Sequence, residues 1–555
     1  MVRSGCVRWR VAAVVAATLG MVLGVVLPMR AAAEPAYQHR QEFITAPDGT
    51  RLHADILRPV GVADDVRTPV IMTVSPYRAH LAYLSQPRLG GGVSTKDLSV
   101  EMFLAAGYTY VIVDLRGFGG SNGCPDFGGP NERSDVKTAV EWAAGQPWST
   151  GRVGLTGISY EAWTGIMGLA AQPAGLAAVA AFAPVVDPYS YLYMQGIAWK
   201  FSGKPVTESG VRPGDLAGLE HVLIASTPGH WADSAEYRAN ASNIDPGCFQ
   251  RYLSETGDHD PDTAFWRERD LVEQVRGNTI PLFLGQGFVD YNTRAHRVFE
   301  LWDALGPGEH KAWFGQWGHR NCFEKCGTPF FGDELLAFFD RHVAQRDVTV
   351  PGPRVTVGQF DGRWRGEQTW PPADSRPVRV AVRPGAYTDR GLVPGADREV
   401  WSFSQPLAHD QHFSGVATAT LHLDGPAAAT VTVELYDVAP DGRATVITRG
   451  IAPVGATANV RLLAQDWPIP AGHRIGIRIT DVIDDVWAHP PTFARVTLTD
   501  GEVRLPLLET VRTPDIPGGL TEGIPKWRAE KTIPLPPELV KNATVTVDFP
   551  PRATR

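Results

Sequence analysis

A strand that runs directly into a serine on a tight turn, with a helix starting at once behind it, constrains this chain more than any other stretch. Residues Arg152 to Gly165 read RVGLTGISYEAWTG. Arg152 to Thr156 is apolar enough for a buried strand, and Gly157-Ile158-Ser159-Tyr160 is the turn. Glu161 to Ala171 has helical spacing, with small residues on its inner side. A serine placed this way has its hydroxyl exposed at a strand tip above a helix N-terminus. Gly157 lets the turn pack closely where a side chain would clash. The stretch departs from Gly-x-Ser-x-Gly at its last position, where Glu161 stands. The neighbouring segments therefore decide between a nucleophile and an ordinary serine in a strand–helix turn.

Those segments alternate strand and helix. Pro69 to Val74 and Tyr108 to Asp114 are short, continuously apolar runs, as expected of strands buried on both faces. Asp135 to Ala144 is an amphipathic helix, and Leu176 to Val186 is another apolar strand. Ile280 to Gly285, the helix Thr293 to Leu305, the strand Lys311 to Gly315 and the helix Asp333 to Val343 resume the rhythm. Alternation of this kind means βαβ units and a mostly parallel sheet. The rhythm breaks from Pro188 to about Arg276, where helical patches and aromatics such as Tyr189, Trp199, Trp231 and Trp266 predict a helical cap inserted over the sheet. After about Pro351 the period becomes two, as in Thr430 to Leu435 and Arg474 to Ile479, which predicts an antiparallel β-sandwich.

The expected organisation is a signal segment at 1–33 and an α/β core at 38–187, interrupted by the cap at 188–276 and resumed at 277–348. A β-sandwich at 351–510 and an extended, Pro-rich tail at 511–555 follow. The signal reading rests on Arg3, Arg8 and Arg10, an apolar run from Val11 to Leu27, and Ala31-Ala32-Ala33 at the exit. The expectation is a secreted or extracytoplasmic protein, with no membrane contact once the segment is cut; retained, the run would be an anchor. Residues 1–33 hold four arginines and no acid, so their removal takes the net charge from -8 to -12. Such a surface does not suit nucleic acid.

Cys6 leaves with the signal, and Cys124, Cys248, Cys322 and Cys326 remain. An even count in an exported chain is compatible with two disulfides. Three pairings are open, Cys322 with Cys326 being the most local. No Cys-x-x-Cys spacing suggests zinc, and no cofactor or metal is expected.

In open parallel sheets ligands sit at the carboxyl ends of the strands. Tyr77, Ser159, Asp290 and His319 all follow such ends, and the last three occur in the order Ser, Asp, His used by α/β-hydrolases. Ser159 would be the nucleophile. His319 would take its proton and return it to the leaving group, and Asp290 would orient the imidazole and stabilise its cation. The Tyr160 N–H would donate to the tetrahedral oxyanion. Asp114 also ends a strand, but it precedes the serine and reads as a cap for the Arg116 loop. Trp148, Trp163, Phe288, Tyr291 and Trp317 are candidates to line an acyl or prolyl pocket. Glu161 could hold a substrate amine, although a solvent-facing helix position is the simpler reading.

Ser75-Pro76-Tyr77, Asp114-x-Arg116-Gly117, Gly157-x-Ser159-Tyr160, Gly287-x-x-Asp290 and Trp317-Gly318-His319 together resemble the cocaine esterase and X-Pro dipeptidyl-peptidase family of serine hydrolases. Leu435-Tyr436-Asp437-Val438 and Ala471-Gly472-His473-Arg474 extend the likeness into the C-terminal part, so that it spans about 38–510. The resemblance implies an α/β-hydrolase followed by an all-β jelly roll that helps wall the pocket. It also implies that Tyr77 gives its phenolic OH to the oxyanion beside the Tyr160 N–H. Two departures stand out: Ala162 where members usually have glycine, and the loop with Cys322 and Cys326 beside His319.

The function expected is hydrolysis of an ester or amide through an acyl-enzyme on Ser159, in the manner of an esterase or acylase. The substrate would be a small ester or amide or a short peptide. X-Pro dipeptidyl-peptidase activity is the alternative within the class. A non-catalytic protein that binds cell wall or carbohydrate is the alternative outside it.

Overall fold

The computed structural model describes residues 37–77, 100–199, 234–241, 247–248, 254–319 and 330–549, apart from 291, 295, 392, 394, 396, 484 and 485. The N-terminal segment, Tyr291, Cys322 and Cys326 lie outside the described residues.

The main sheet has ten strands. In chain order they include β1 (Tyr37–Thr45), β2 (Arg51–Pro59), β3 (Thr68–Ser75), β4 (Thr109–Asp114), β5 (Ser149–Ile158) and β6 (Leu176–Phe182). A short hairpin, β7 (Tyr193–Met194) and β8 (Ile197–Trp199), lies apart from it, and β9 (Leu282–Gly287), β10 (Lys311–Gly315), β11 (Val355–Gly358) and β12 (Trp364–Glu367) complete it. The spatial order is β1-β2-β4-β3-β5-β6-β9-β10-β11-β12. Pairing is parallel from β4 through β11, with antiparallel strands at both edges.

Burial explains the apolar runs. Val70, Met72 and Val74 of β3 face one hydrophobic cluster while Ile71 faces the other, and Val111 and Val113 alternate in the same way with Tyr110 and Ile112. A strand buried on both sides has no polar face to show. Helices α1 (Val100–Ala105), α2 (Pro130–Ala144), α3 (Tyr160–Ala171), α4 (Pro188–Leu192), α5 (Ala235–Ala241), α6 (Ala264–Arg267), α7 (Leu271–Gln274), α8 (Val298–Ala304) and α9 (Phe331–His342) connect or flank the strands. Helix α3 packs on β5 and β6 with Gly168 against them, where a Cβ would come within 2.4 Å of Leu155.

The β11–β12 pair corrects the expected start of the sandwich. These residues extend the main sheet, β11 lying parallel to β10. Four-residue strands carry too little alternation to show which sheet they join. Beyond them, a seven-stranded and a six-stranded sheet form the all-β part. The tail is also less extended than expected. It holds α10 (Gly523–Lys531) and α11 (Pro537–Asn542), and its segments Thr532–Pro534 and Thr544–Val545 edge the six-stranded sheet.

Contacts from both the main sheet and the β7–β8 hairpin reach the all-β part. Arg365 of β12 makes paired 2.8 Å hydrogen bonds to Asp466, which also accepts from Ser414 Oγ at 2.6 Å and lies 2.7 Å from His412 Nε2; all four are buried. Trp199 of the hairpin stacks on Trp487 at 5.2 Å, and β8 pairs with Trp487–Ala488. Cys124 and Cys248 form a disulfide, which resolves one of the pairings the sequence left open. Among the described residues no helix is long and apolar enough to cross a membrane.

Candidate active site

Because β3, β5, β6, β9 and β10 are parallel neighbours, their carboxyl ends share one edge of the sheet. Tyr77 follows β3, Ser159 follows β5, Asp290 follows β9 and His319 follows β10. The topology brings together four residues spread over about 240 positions of sequence.

Ser159 sits between β5 and α3 with φ 63° and ψ -124°, in the left-handed region that a side chain seldom adopts. Such a backbone costs about 1–3 kcal/mol and persists only where the surroundings impose it. Here the Ser159 N–H donates to the Phe182 carbonyl of β6, and the Ser159 carbonyl accepts from the Trp163 N–H, both at 2.9 Å. Gly157 is required: a Cβ there would lie 2.4 Å from Glu161 Cβ. The hydroxyl of Ser159 is met by the Tyr77 hydroxyl at 3.2 Å. Tyr160 opens α3, so its N–H lies at the positively polarised end of that helix. Its phenol donates to the buried Glu132 at 2.8 Å.

Asp290 is buried and His319 is half-exposed, with Nδ1 3.0 Å from Asp290 Oδ2. Asp290 also accepts from the Asn292 N–H at 2.7 Å, the Thr293 N–H at 3.2 Å and Thr293 Oγ1 at 3.0 Å. Burial works against its charge, but the facing imidazole and these donors outweigh it and hold the carboxyl below its ordinary value. Asp290 is thus a fixed anion that accepts from one imidazole nitrogen and leaves Nε2 for other partners. Among the described residues no hydrogen bond joins Ser159 Oγ to His319. Nucleophile–base contacts are often long in the absence of substrate and tighten when it binds.

The aromatic candidates fare differently. Trp148 precedes β5, at the opposite end of that strand from Ser159, where it packs on Trp142 beneath Arg40. It does not line a pocket at the serine. Trp163 is fully buried between Phe127 and Tyr160. Phe288 belongs to a cluster with Phe299, Phe314 and Trp370, and Trp317 stacks on Trp364. These rings are used in core packing, which places aromatics at strand ends as readily as a ligand site does.

Glu161 also differs from the simpler reading. It is buried, 1% exposed, and accepts a 2.8 Å hydrogen bond from Ser75 Oγ. In the sequence Ser75 is marked only as part of Ser75-Pro76-Tyr77, and Thr293 only as the start of a helix. The one faint signal was Asp290-x-x-Thr293, an Asp three residues ahead of a hydroxyl, as in a capping turn. Asp114 does hold its loop, accepting from the Gly120 N–H at 2.9 Å, and its carbonyl accepts from Ser121 Oγ at 2.7 Å.

Two family models match the chain in succession. X-Pro dipeptidyl-peptidase (S15 family) matches residues 48–321, and X-Pro dipeptidyl-peptidase C-terminal non-catalytic domain matches residues 349–481. A Streptomyces avermitilis protein that carries the name Xaa-Pro dipeptidyl-peptidase is 27% identical over 446 residues, covering 75% of this chain and 61% of the relative. The cocaine esterase of Rhodococcus sp. strain MB1 Bresler is 25% identical over 482 residues, covering 73% of this chain and 81% of the esterase. The chain spans 61%, 56% and 61% of the length of the Streptomyces avermitilis, Bacillus anthracis and Bacillus cereus relatives of the first kind. Among solved structures, an α-amino acid ester hydrolase superposes with a TM-score of 0.65 at 17% identity, covering 88% of this chain and all of that one. A CocE/NonD family hydrolase from Staphylococcus aureus gives 0.64 at 15% identity, covering 85% of this chain and 94% of that one. At these identities the structures speak for the fold. With the two models matched in order, the chain belongs to the X-Pro dipeptidyl-peptidase and cocaine esterase family of serine hydrolases, an α/β-hydrolase sheet followed by an all-β domain.

Proposed function

We propose that this chain cleaves ester or amide bonds through an acyl-enzyme formed on Ser159. In this reading Ser159 Oγ attacks the carbonyl while His319 Nε2 takes its proton. Asp290 holds the imidazole by Nδ1 and stabilises the cation. The Tyr77 hydroxyl and the Tyr160 N–H receive the oxyanion. His319 then protonates the leaving alcohol or amine, and a water attacks the acyl-enzyme along the same path in reverse. The observation that carries the reading is the 3.0 Å contact of Asp290 with His319 on the sheet edge that also bears Ser159, itself in a left-handed turn. A fluorophosphonate probe tests it: wild type is labelled and Ser159→Ala is not.

Within the class, esterase or acylase activity is favoured over X-Pro dipeptidyl-peptidase activity. A dipeptidyl-peptidase needs a carboxylate for the substrate's free amine. Glu161, the acid nearest the nucleophile in sequence, is buried and engaged by Ser75. Parallel assays of a p-nitrophenyl ester and a Gly-Pro anilide separate the two: faster turnover of the anilide would reverse the order.

The same reading assigns 188–276 to a cap inserted in the hydrolase part and the all-β part to a jelly roll. Export through the segment at 1–33 is proposed from its basic head, apolar run and Ala-rich exit. The Cys124–Cys248 disulfide supports an oxidising destination. N-terminal sequencing of exported protein tests it, with a new terminus near residue 34 expected.

A further inference from the structure

Tyr77 reaches Ser159 from the end of a neighbouring strand, and the turn that carries it is tied back to the helix that carries Ser159. The tie begins at the Tyr77 N–H, which donates to Ser75 Oγ at 3.0 Å. Ser75 Oγ in turn donates to Glu161 Oε1 at 2.8 Å. Glu161 is the second residue of α3, two positions after Ser159. Ser75 is fully buried and Glu161 is 1% exposed, so neither is an incidental surface contact. A second bond runs alongside, from Thr164 Oγ1 of α3 to the Val74 carbonyl of β3 at 2.8 Å. The circuit closes where the Tyr77 hydroxyl meets Ser159 Oγ at 3.2 Å.

From this circuit, and resting on the function proposed above, we propose that Glu161 is a positioning residue: acting through Ser75, it holds the Ser75–Tyr77 turn so that the Tyr77 hydroxyl faces the oxyanion of Ser159. The chain of donors is directional. The Tyr77 N–H gives to Ser75, whose own proton is turned toward the carboxylate, so each bond polarises the next. Burial excludes water, which would otherwise compete for both hydroxyl and carboxylate. Gly157 fixes the other end, since its missing side chain is what lets Glu161 pack against the β5 end. Glu161 thus takes the place of a glycine in the serine motif because the chain uses that position to register β3 against α3. Without it, Tyr77 keeps its chemistry and loses its aim. An oxyanion donor displaced by about 1 Å can cost roughly 100-fold in rate.

The test is a double-mutant cycle on ester turnover with four readouts. Glu161→Ala is expected to lower kcat about 10- to 100-fold with KM within roughly twofold. The same change on a Tyr77→Phe background is expected to lower kcat less than about threefold further, because no hydroxyl remains to be aimed. Glu161→Gln, whose amide oxygen can still accept from Ser75, is expected to recover most of the rate. Ser75→Ala cuts the same link with little change in volume and is expected to match Glu161→Ala, which serves if the latter does not fold. Wild-type kcat in Glu161→Ala or Ser75→Ala overturns the proposal, as does a loss that is undiminished beside Tyr77→Phe. Turnover retained by Ser159→Ala overturns instead the parent reading, so the two failures are told apart.

Discussion

The hydroxyls of Tyr77 and Ser159 stand 3.2 Å apart across the ends of the adjacent strands β3 and β5. A phenol in that place can donate to the negative charge that develops on the substrate's former carbonyl oxygen, two bonds from the serine oxygen. It gains more from the transition state than from the ground state, which is what accelerates a reaction. Tyr77→Phe is therefore expected to lower kcat by about 10²–10³-fold. KM should change little, and steady-state kinetics on a p-nitrophenyl ester measures both. An effect confined to KM would contradict an oxyanion role.

Asp290 meets His319 at Nδ1 and is fixed by donors from its own loop. Asp290→Asn nearly preserves the shape but presents an amide where the imidazole needs an anion. A loss of kcat of about 10⁴-fold is expected. Circular dichroism should remain that of wild type. A loss under about tenfold would remove Asp290 from the mechanism.

Glu132 is fully buried behind Tyr160. Burial first, and then the charge of Asp126, push its carboxyl up to about 7 against the hydrogen bonds from Tyr160 and the Asp126 and Gly128 N–H groups. A carboxyl raised above its unfolded value stabilises the fold at low pH and loses that contribution as pH rises through the folded value. The melting temperature should therefore fall from about pH 5 to about pH 8, and Glu132→Gln should flatten that slope. Scanning calorimetry across this range checks it, and equal slopes in the two proteins would contradict it.

Asp466 holds Arg365, His412 and Ser414 in one buried cluster between the main sheet and the all-β part. Its charge is costly to bury, and the guanidinium and imidazole facing it hold the carboxyl well below its ordinary range. Asp466→Ala would leave Arg365 charged and buried with Glu367 as its remaining carboxylate. Breaking such a cluster costs about 3–5 kcal/mol. Chemical denaturation measures it, and a loss below about 1 kcal/mol would show that the cluster contributes little to stability.

The site was legible in the sequence to the extent that its residues sit at strand ends. Ser159, Asp290 and His319 each follow an apolar run that the period of hydrophobicity marks as a strand, and parallel topology then places them on one edge. What the sequence did not reveal depends on contacts across long separations. Ser75 and Glu161 are 86 positions apart, and a glutamate in a helix ordinarily faces water. The Cys124–Cys248 pairing likewise spans a separation of 124 positions. Trp148 and Phe288 illustrate a different limit. An aromatic ring near a strand end looks the same in sequence whether it faces a ligand or the core, and these two fill the core. Strands β11 and β12 are too short for alternation to assign them to one sheet over the other.

The central claim is that Ser159 carries the acyl group, and it is tested most directly by mass spectrometry of enzyme quenched in acid during turnover of a p-nitrophenyl ester. The account predicts an acyl adduct on the peptide that contains Ser159, and its disappearance in Ser159→Ala together with turnover. An adduct mapped to another residue, or turnover that survives Ser159→Ala, would contradict it.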